Sequence, residues 1–178
     1  ERTEVLLPLI EKLEKMRAKE VAEKNLLLLF SLQLGDAKFH GEEYAEAESF
    51  YGSALRYAEE LGDSKRIGEC LYGLGAAVGM QDQHDKALEY FEKALQLKRI
   101  DASTWFNRGV ALSHLGRHAE AFRSYDKAID RREHLIDKGE RIFPTWTNLI
   151  SMIAIASIVS KEDETVKSAV QSISKVYR

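Results

Sequence analysis

Apolar positions recur at spacings of three and four residues along most of the chain, as in Ala87, Leu88, Phe91, Ala94 and Leu95 and again in Ala121, Phe122, Tyr125, Ala128 and Ile129. Such spacing draws one apolar stripe along an α-helix, and no strand-like alternation competes with it. Proline interrupts helices most strongly, and only Pro8 and Pro144 are present, so helix is permitted nearly everywhere. The pattern predicts an all-α fold.

The helical pattern repeats. With the chain aligned on Gly35, Gly75 and Gly109, an alanine follows each glycine by twelve residues, at Ala47, Ala87 and Ala121. An aromatic lies four residues further on, at Tyr51, Phe91 and Tyr125, and a second alanine three beyond that, at Ala54, Ala94 and Ala128. Small residues where two helices cross let their backbones approach, and the aromatic fills the wedge beside them. Each copy therefore predicts a pair of antiparallel helices, with its turn at His40–Glu42, Gln81–Gln83 or Leu115–Arg117. A hairpin of this kind leaves one apolar face bare, which the next hairpin covers, so the units stack as a solenoid.

These residues resemble the tetratricopeptide repeat family, whose unit carries Trp-x2-Leu-Gly-x2-Tyr and then Ala-x3-Phe. Trp105, Gly109, Leu112, Ala121 and Tyr125 follow that pattern in one unit, and Leu71, Leu74, Gly75, Ala87 and Phe91 in another. Arg108 departs from it, standing where the family has leucine. The resemblance implies a right-handed superhelical solenoid of antiparallel helical hairpins. Gly75 and Gly109 are 34 residues apart, the family's usual period, but Gly35 and Gly75 are 40 apart. The six additional residues fall near Leu61–Arg66 and predict a longer second helix in the first unit, with Gly62 and Asp63 as its stop and Ser64 as the next cap. The third unit is also read as lengthened, through Arg131, Arg132 and Leu135 toward Gly139.

The whole chain, 1–178, reads as one domain: an N-terminal capping helix over 1–27, unit 1 over 28–67, unit 2 over 68–101, unit 3 over 102–142, and a degenerate fourth unit with a C-terminal cap over 143–178. The cap is expected to lay Val5, Leu6, Leu9, Ile10 and Leu13 on the first hairpin. Trp146 and Asn148 repeat Trp105 and Asn107 after 41 residues, which marks the fourth unit. Between Leu149 and Val159 the chain is apolar nearly all round, broken only by Ser151 and Ser157. It is too short to span a bilayer, so it is expected in protein, with a homodimer face as one use.

Composition narrows the function. A formal net charge of -3 gives no general attraction for nucleic acid or anionic lipid, so neither nucleic acid nor membrane is expected as a partner. A lone cysteine, Cys70, can form no internal disulfide, and the cytoplasm is the expected compartment. His114 and His118 are separated by a turn, and His40, His84 and His118 sit near loops without acidic residues at metal-ligand spacing, so no metal is expected. Glu42, Glu43, Glu46 and Glu48 open a helix, where they complement its macrodipole. No nucleophile elbow or phosphate loop is present, so no catalytic residue and no cofactor are expected, and the chain does not read as an enzyme.

What remains is a surface. In the resembled family, the first helices of successive units line a concave groove that accepts a peptide or a partner's helix. Its chaperone-binding members clamp a carboxylate with lysine, asparagine and arginine, and of that set only Asn107 stands here. The predicted groove has one row of Leu32, Tyr72, Phe106 and Thr147, for anchoring contacts, and a second with Gln33, Asn107 and Asn148, whose amides both donate and accept. Another protein or peptide is the expected partner, and the expected role is a protein-interaction scaffold. The alternatives are a homo-oligomerisation module or a regulatory nucleic-acid or small-molecule binder using Lys98, Arg99, Arg131 and Arg132.

Overall fold

The structure is a computed structural model that describes residues 2–97 and 102–136. Six helices follow one another: α1 Arg2–His40, α2 Tyr44–Leu61, α3 Ser64–Gly79, α4 His84–Gln96, α5 Ala102–His114 and α6 His118–Ile136. They pair as α1/α2, α3/α4 and α5/α6, and each hairpin packs on the next through α2/α3 and α4/α5. The first helices also meet one another, α1 with α3 and α3 with α5, whereas α2 does not reach α4 nor α4 reach α6 at backbone distance. The stack therefore bends with α1, α3 and α5 on its inner side. Across the outer side α2 and α4 are bridged by long side chains, with Lys86 Nζ 2.6 Å from Glu48 Oε1.

The repeat register explains the packing. Ala47, Ala87 and Ala121 are all but fully buried, and the aromatic of each unit lies flat over a glycine of its first helix. A Cβ added at Gly75 would come within 2.6 Å of the Phe91 ring, and one at Gly109 within 2.4 Å of the Tyr125 ring. The Tyr51 ring is held between two such positions, Gly35 and Gly73. One cluster joins Val78, Ala87, Leu88 and Phe91 to Ala111, Leu112, Ala121 and Tyr125, so the second and third hairpins share a core. Ala47, Tyr51, Leu74 and Ala77 form the corresponding core between the first and second, and Leu28, Ala54, Ala58 and Cys70 a further one.

The 40-residue spacing resolves as expected into a longer α2, 18 residues against 13 in α4, and α6 runs to Ile136. Gly62 ends α2 in the left-handed region at φ 67°, the N–H of Asp63 closing onto the Ala58 carbonyl. Asp63, not Ser64, then caps α3: its Oδ1 accepts from the amides of Lys65 and Arg66 at 3.1 and 3.0 Å. Asp63 has a non-helical backbone, φ -85° and ψ 88°, which leaves Ser64 as the first helical residue.

The N-terminal segment differs from expectation. No separate cap over 1–27 lies on the first hairpin; the segment and the first helix of unit 1 form the single 39-residue α1. Between Pro8 and Gly35 no residue breaks the helix, and Leu, Ala, Lys and Glu dominate there. The Lys24–Glu60 ion pair, 3.0 Å, joins α1 to the last turn of α2, so the helix N-terminal to it extends about 33 Å beyond that hairpin at 1.5 Å per residue. Thr147, Asn148, the apolar stretch from Leu149 to Val159 and the fourth unit lie outside the described residues.

Three tight turns place a left-handed residue at Glu42, Asp82 and Gly116, with φ of 61°, 60° and 73°. Only the third is glycine; Gly41 in the first turn is one position early. Glu42→Gly is expected to raise unfolding free energy by up to about 1 kcal/mol, through relief of left-handed strain. Urea unfolding checks it, and a loss of stability contradicts it.

Burial pushes the Cys70 thiol up to about 12. The folded chain thus holds this proton more tightly than the unfolded chain does. The associated stability is complete below the thiol's ordinary range and is lost as pH rises toward 12. Two measurements check this: Cys70 should not react with a disulfide reagent at pH 8 until urea unfolds the chain, and the melting temperature should fall above about pH 9.

Candidate functional site: the concave groove

The inner side carries two adjoining concavities. The larger, about 670 Å³, runs between α1, α3 and α5. Leu32 and Gln33 come to it from α1, Tyr72 and Gly73 from α3, and Asn107 from α5. Gly73 is fixed by its neighbour, since a side chain there would strike the Tyr51 ring at 2.7 Å. The Asn107 Nδ2 donates to the Tyr72 hydroxyl at 3.2 Å, which ties the second unit to the third. Among the described residues this is the one hydrogen bond of the Asn107 side chain. Its carbonyl has no donor among the described residues, and Asn107 belongs to the lining of both concavities.

The charged residues of this groove were not singled out by sequence for binding. Asp36 accepts from the Tyr51 hydroxyl at 2.7 Å, and burial together with that bond pushes the tyrosine's ionisation far up. Arg66 and Glu69 pair with each other at 2.7 Å. The Arg66–Glu69 pair cancels its own charge, whereas Asp36, bonded to a neutral hydroxyl, keeps one negative charge on the groove.

The smaller concavity, about 290 Å³, continues from the first and shares Phe39, Ala76 and Asn107 with it. Its floor is apolar and small: Gly75, Gly79 and Ala87, with Phe91, Val110 and Ala111 as walls. His84, the first residue of α4, and His114, the last of α5, stack at 4.1 Å and 13° and belong to the same lining. Nothing local links these two histidines, which lie in different units. His118 opens α6, so the turn does separate it from His114.

Phe106 is placed elsewhere. It is half-buried against the shared core with its ring 5.7 Å from Tyr125, as Tyr72 lies 6.1 Å from Phe91, and among the described residues it is not in the lining of either concavity. The 34-residue equivalence of Tyr72 and Phe106 is thus an equivalence of packing; only Tyr72 also presents a polar tip to the groove. Arg108, standing where the family has leucine, is neither core nor groove: its guanidinium donates to Ser124 Oγ at 2.6 Å and Glu92 Oε1 at 2.9 Å, joining α4, α5 and α6. Among the described residues no cluster of histidine, cysteine and carboxylate is disposed to hold a metal. No helix of the described residues is long and apolar enough to cross a membrane.

Comparison with known proteins gives a consistent picture. Family profiles described as tetratricopeptide repeat match residues 26–100 and 102–135. An uncharacterised protein of Methanocaldococcus jannaschii is 39% identical over 70 residues, which cover 39% of this chain and 81% of that protein. The photosystem I assembly protein Ycf3 of Acaryochloris marina is 33% identical over 85 residues, 48% of this chain and 49% of Ycf3, so the chain spans about half that relative. Among solved structures, a TPR-like protein of Chlorobium tepidum superposes with a TM-score of 0.61 at 22% identity, over 76% of this chain and 93% of that one.

Proposed function

Because this chain belongs to the tetratricopeptide repeat family, whose repeats serve protein–protein interaction, we propose that it is a scaffold that holds a peptide or helical segment of a partner protein in the groove of α1, α3 and α5. The observation that carries this reading is the junction at Ala76 and Asn107. There an open groove bearing amide functions meets an apolar recess large enough for one bulky side chain. Gln33 and Asn107 suit a peptide backbone, whose donors and acceptors are the same in any sequence, and the recess supplies a choice among side chains. Ycf3 is an assembly protein by name, and a role in holding other proteins together is the corresponding proposal for this chain. A carboxylate clamp is not part of it: Arg66 is already engaged by Glu69, and Asp36 would repel the terminus.

Peptides selected from a displayed random library against the immobilised chain, then titrated in solution, test the proposal. Enriched sequences should share one large apolar residue. Ala76→Trp should weaken the selected peptide at least about tenfold by filling the recess, and Asn107→Ala should cost more than about 1 kcal/mol of binding. Melting temperatures should change little, and affinity should vary weakly with salt, because Arg66 and Glu69 pair with each other and the contacts proposed for the ligand are apolar and amide ones. Binding that survives both substitutions, or that collapses between low and moderate salt, contradicts the proposal.

A further inference from the structure

The outer face of α1 carries a second apolar surface, turned away from α2. Met16, Leu27, Phe30 and Leu34 are 61%, 40%, 58% and 46% exposed, although Leu28, on the opposite face, is 1% exposed. The spacings from Leu27 to Phe30 to Leu34 are three and four residues, and the same alternation runs on to Ala37. Toward the N-terminus it passes through Glu23, Glu20 and Met16, and Leu13, Leu9 and Leu6 keep its register on the helix. A strict alternation of three and four is the 3.5-residue period of a coiled-coil seam, and a seam of this length demands a helix as its counterpart.

The flanks of the seam define that counterpart. Every charged residue at the positions bordering it is basic: Lys12, Arg17, Lys19, Lys24 and Lys38. Lys24 and Lys38 are already paired with carboxylates of this chain, whereas Lys12, Arg17 and Lys19 are exposed. We propose that the outer face of α1 docks one amphipathic helix of another protein, with an apolar seam of the same period and glutamate or aspartate along its flanks.

Two other occupants fit less well. A second copy of the chain would set basic flanks against basic flanks and bring Glu20 and Glu23 against the same carboxylates of its mate. An anionic membrane would attract the lysines, but Glu20 and Glu23 stand in the middle of the apolar stripe and would be pressed into the headgroup boundary. A single helix avoids both conflicts by carrying lysine in the two layers that face these glutamates.

The test uses the full chain and two synthetic helices of about four heptads, leucine in the seam and lysine in its two central layers. One has glutamate along both flanks, the other lysine. Fluorescence anisotropy should show the acidic helix binding at least about tenfold more tightly than the basic one, with affinity falling as salt rises. Leu27→Glu with Phe30→Glu should abolish at least about tenfold of that affinity. Because both side chains are exposed, the melting temperature should hold, and Asn107→Ala should leave this binding unchanged. Equal binding of the two helices, or binding of neither, overturns the proposal. So does a dimer in light scattering that the double substitution dissolves, or sedimentation with phosphatidylserine vesicles that it abolishes.

Discussion

Phe91→Ala is expected to lower the free energy of unfolding by about 3–5 kcal/mol, a large share of the roughly 5–15 kcal/mol that holds a domain of this size together. Phe91 is 2% exposed, lies over Gly75, and touches the core shared by the second and third hairpins. The backbones of α3 and α4 are already in close approach and cannot collapse into the space it vacates. Phe91→Tyr should cost less than about 1.5 kcal/mol, since tyrosine fills the equivalent positions 51 and 125 and its hydroxyl would point toward the recess beside Ala76. Urea unfolding of both variants checks the contrast. An alanine variant as stable as the tyrosine variant would mean that the aromatic does not wedge the hairpin.

The second large effect comes from the opposite error, too much volume at a crossing. Gly109→Val is expected to cost at least the upper part of the roughly 1–3 kcal/mol typical of overpacking, because its Cβ would start 2.4 Å from the Tyr125 ring. The ring cannot withdraw, being 2% exposed and backed by Phe106. Ala87→Leu and Ala121→Leu act by the same mechanism, at positions 0% and 2% exposed. Unchanged urea midpoints in all three would contradict the hairpin geometry.

These residues were legible in the sequence because packing at a helix crossing tolerates few side chains. Glycine, alanine and an aromatic at fixed offsets therefore repeat wherever the crossing repeats. The length of α2 was legible for a related reason, since Gly62 and Asp63 are turn and cap residues at the point where the period stretches. Continuity of α1 was not. Apolar residues on both its inner and outer faces blur the single stripe that marks a surface helix, and Pro8, the seventh residue of α1, invites a boundary that the helix runs through. The groove was legible in part. Leu32, Gln33, Tyr72 and Asn107 converge because the solenoid repeats their places; Phe106, equivalent to Tyr72, packs on the same core but is absent from the lining among the described residues. Contacts between units carry no local signal. The stacking of His84 on His114, thirty residues away, and the bond from Asn107 to Tyr72 depend on how successive hairpins meet.

Mapping amide chemical shifts of the isotopically labelled chain during titration with a selected peptide locates the face that holds the partner. If the groove of α1, α3 and α5 is that face, shifts concentrate at Gln33, Tyr72, Ala76 and Asn107, and along the recess at Gly79 and Val110, with the outward faces of α2 and α4 unmoved. Shifts confined to the outer face of α1, or to α2 and α4, with the groove residues silent at saturation, would contradict it.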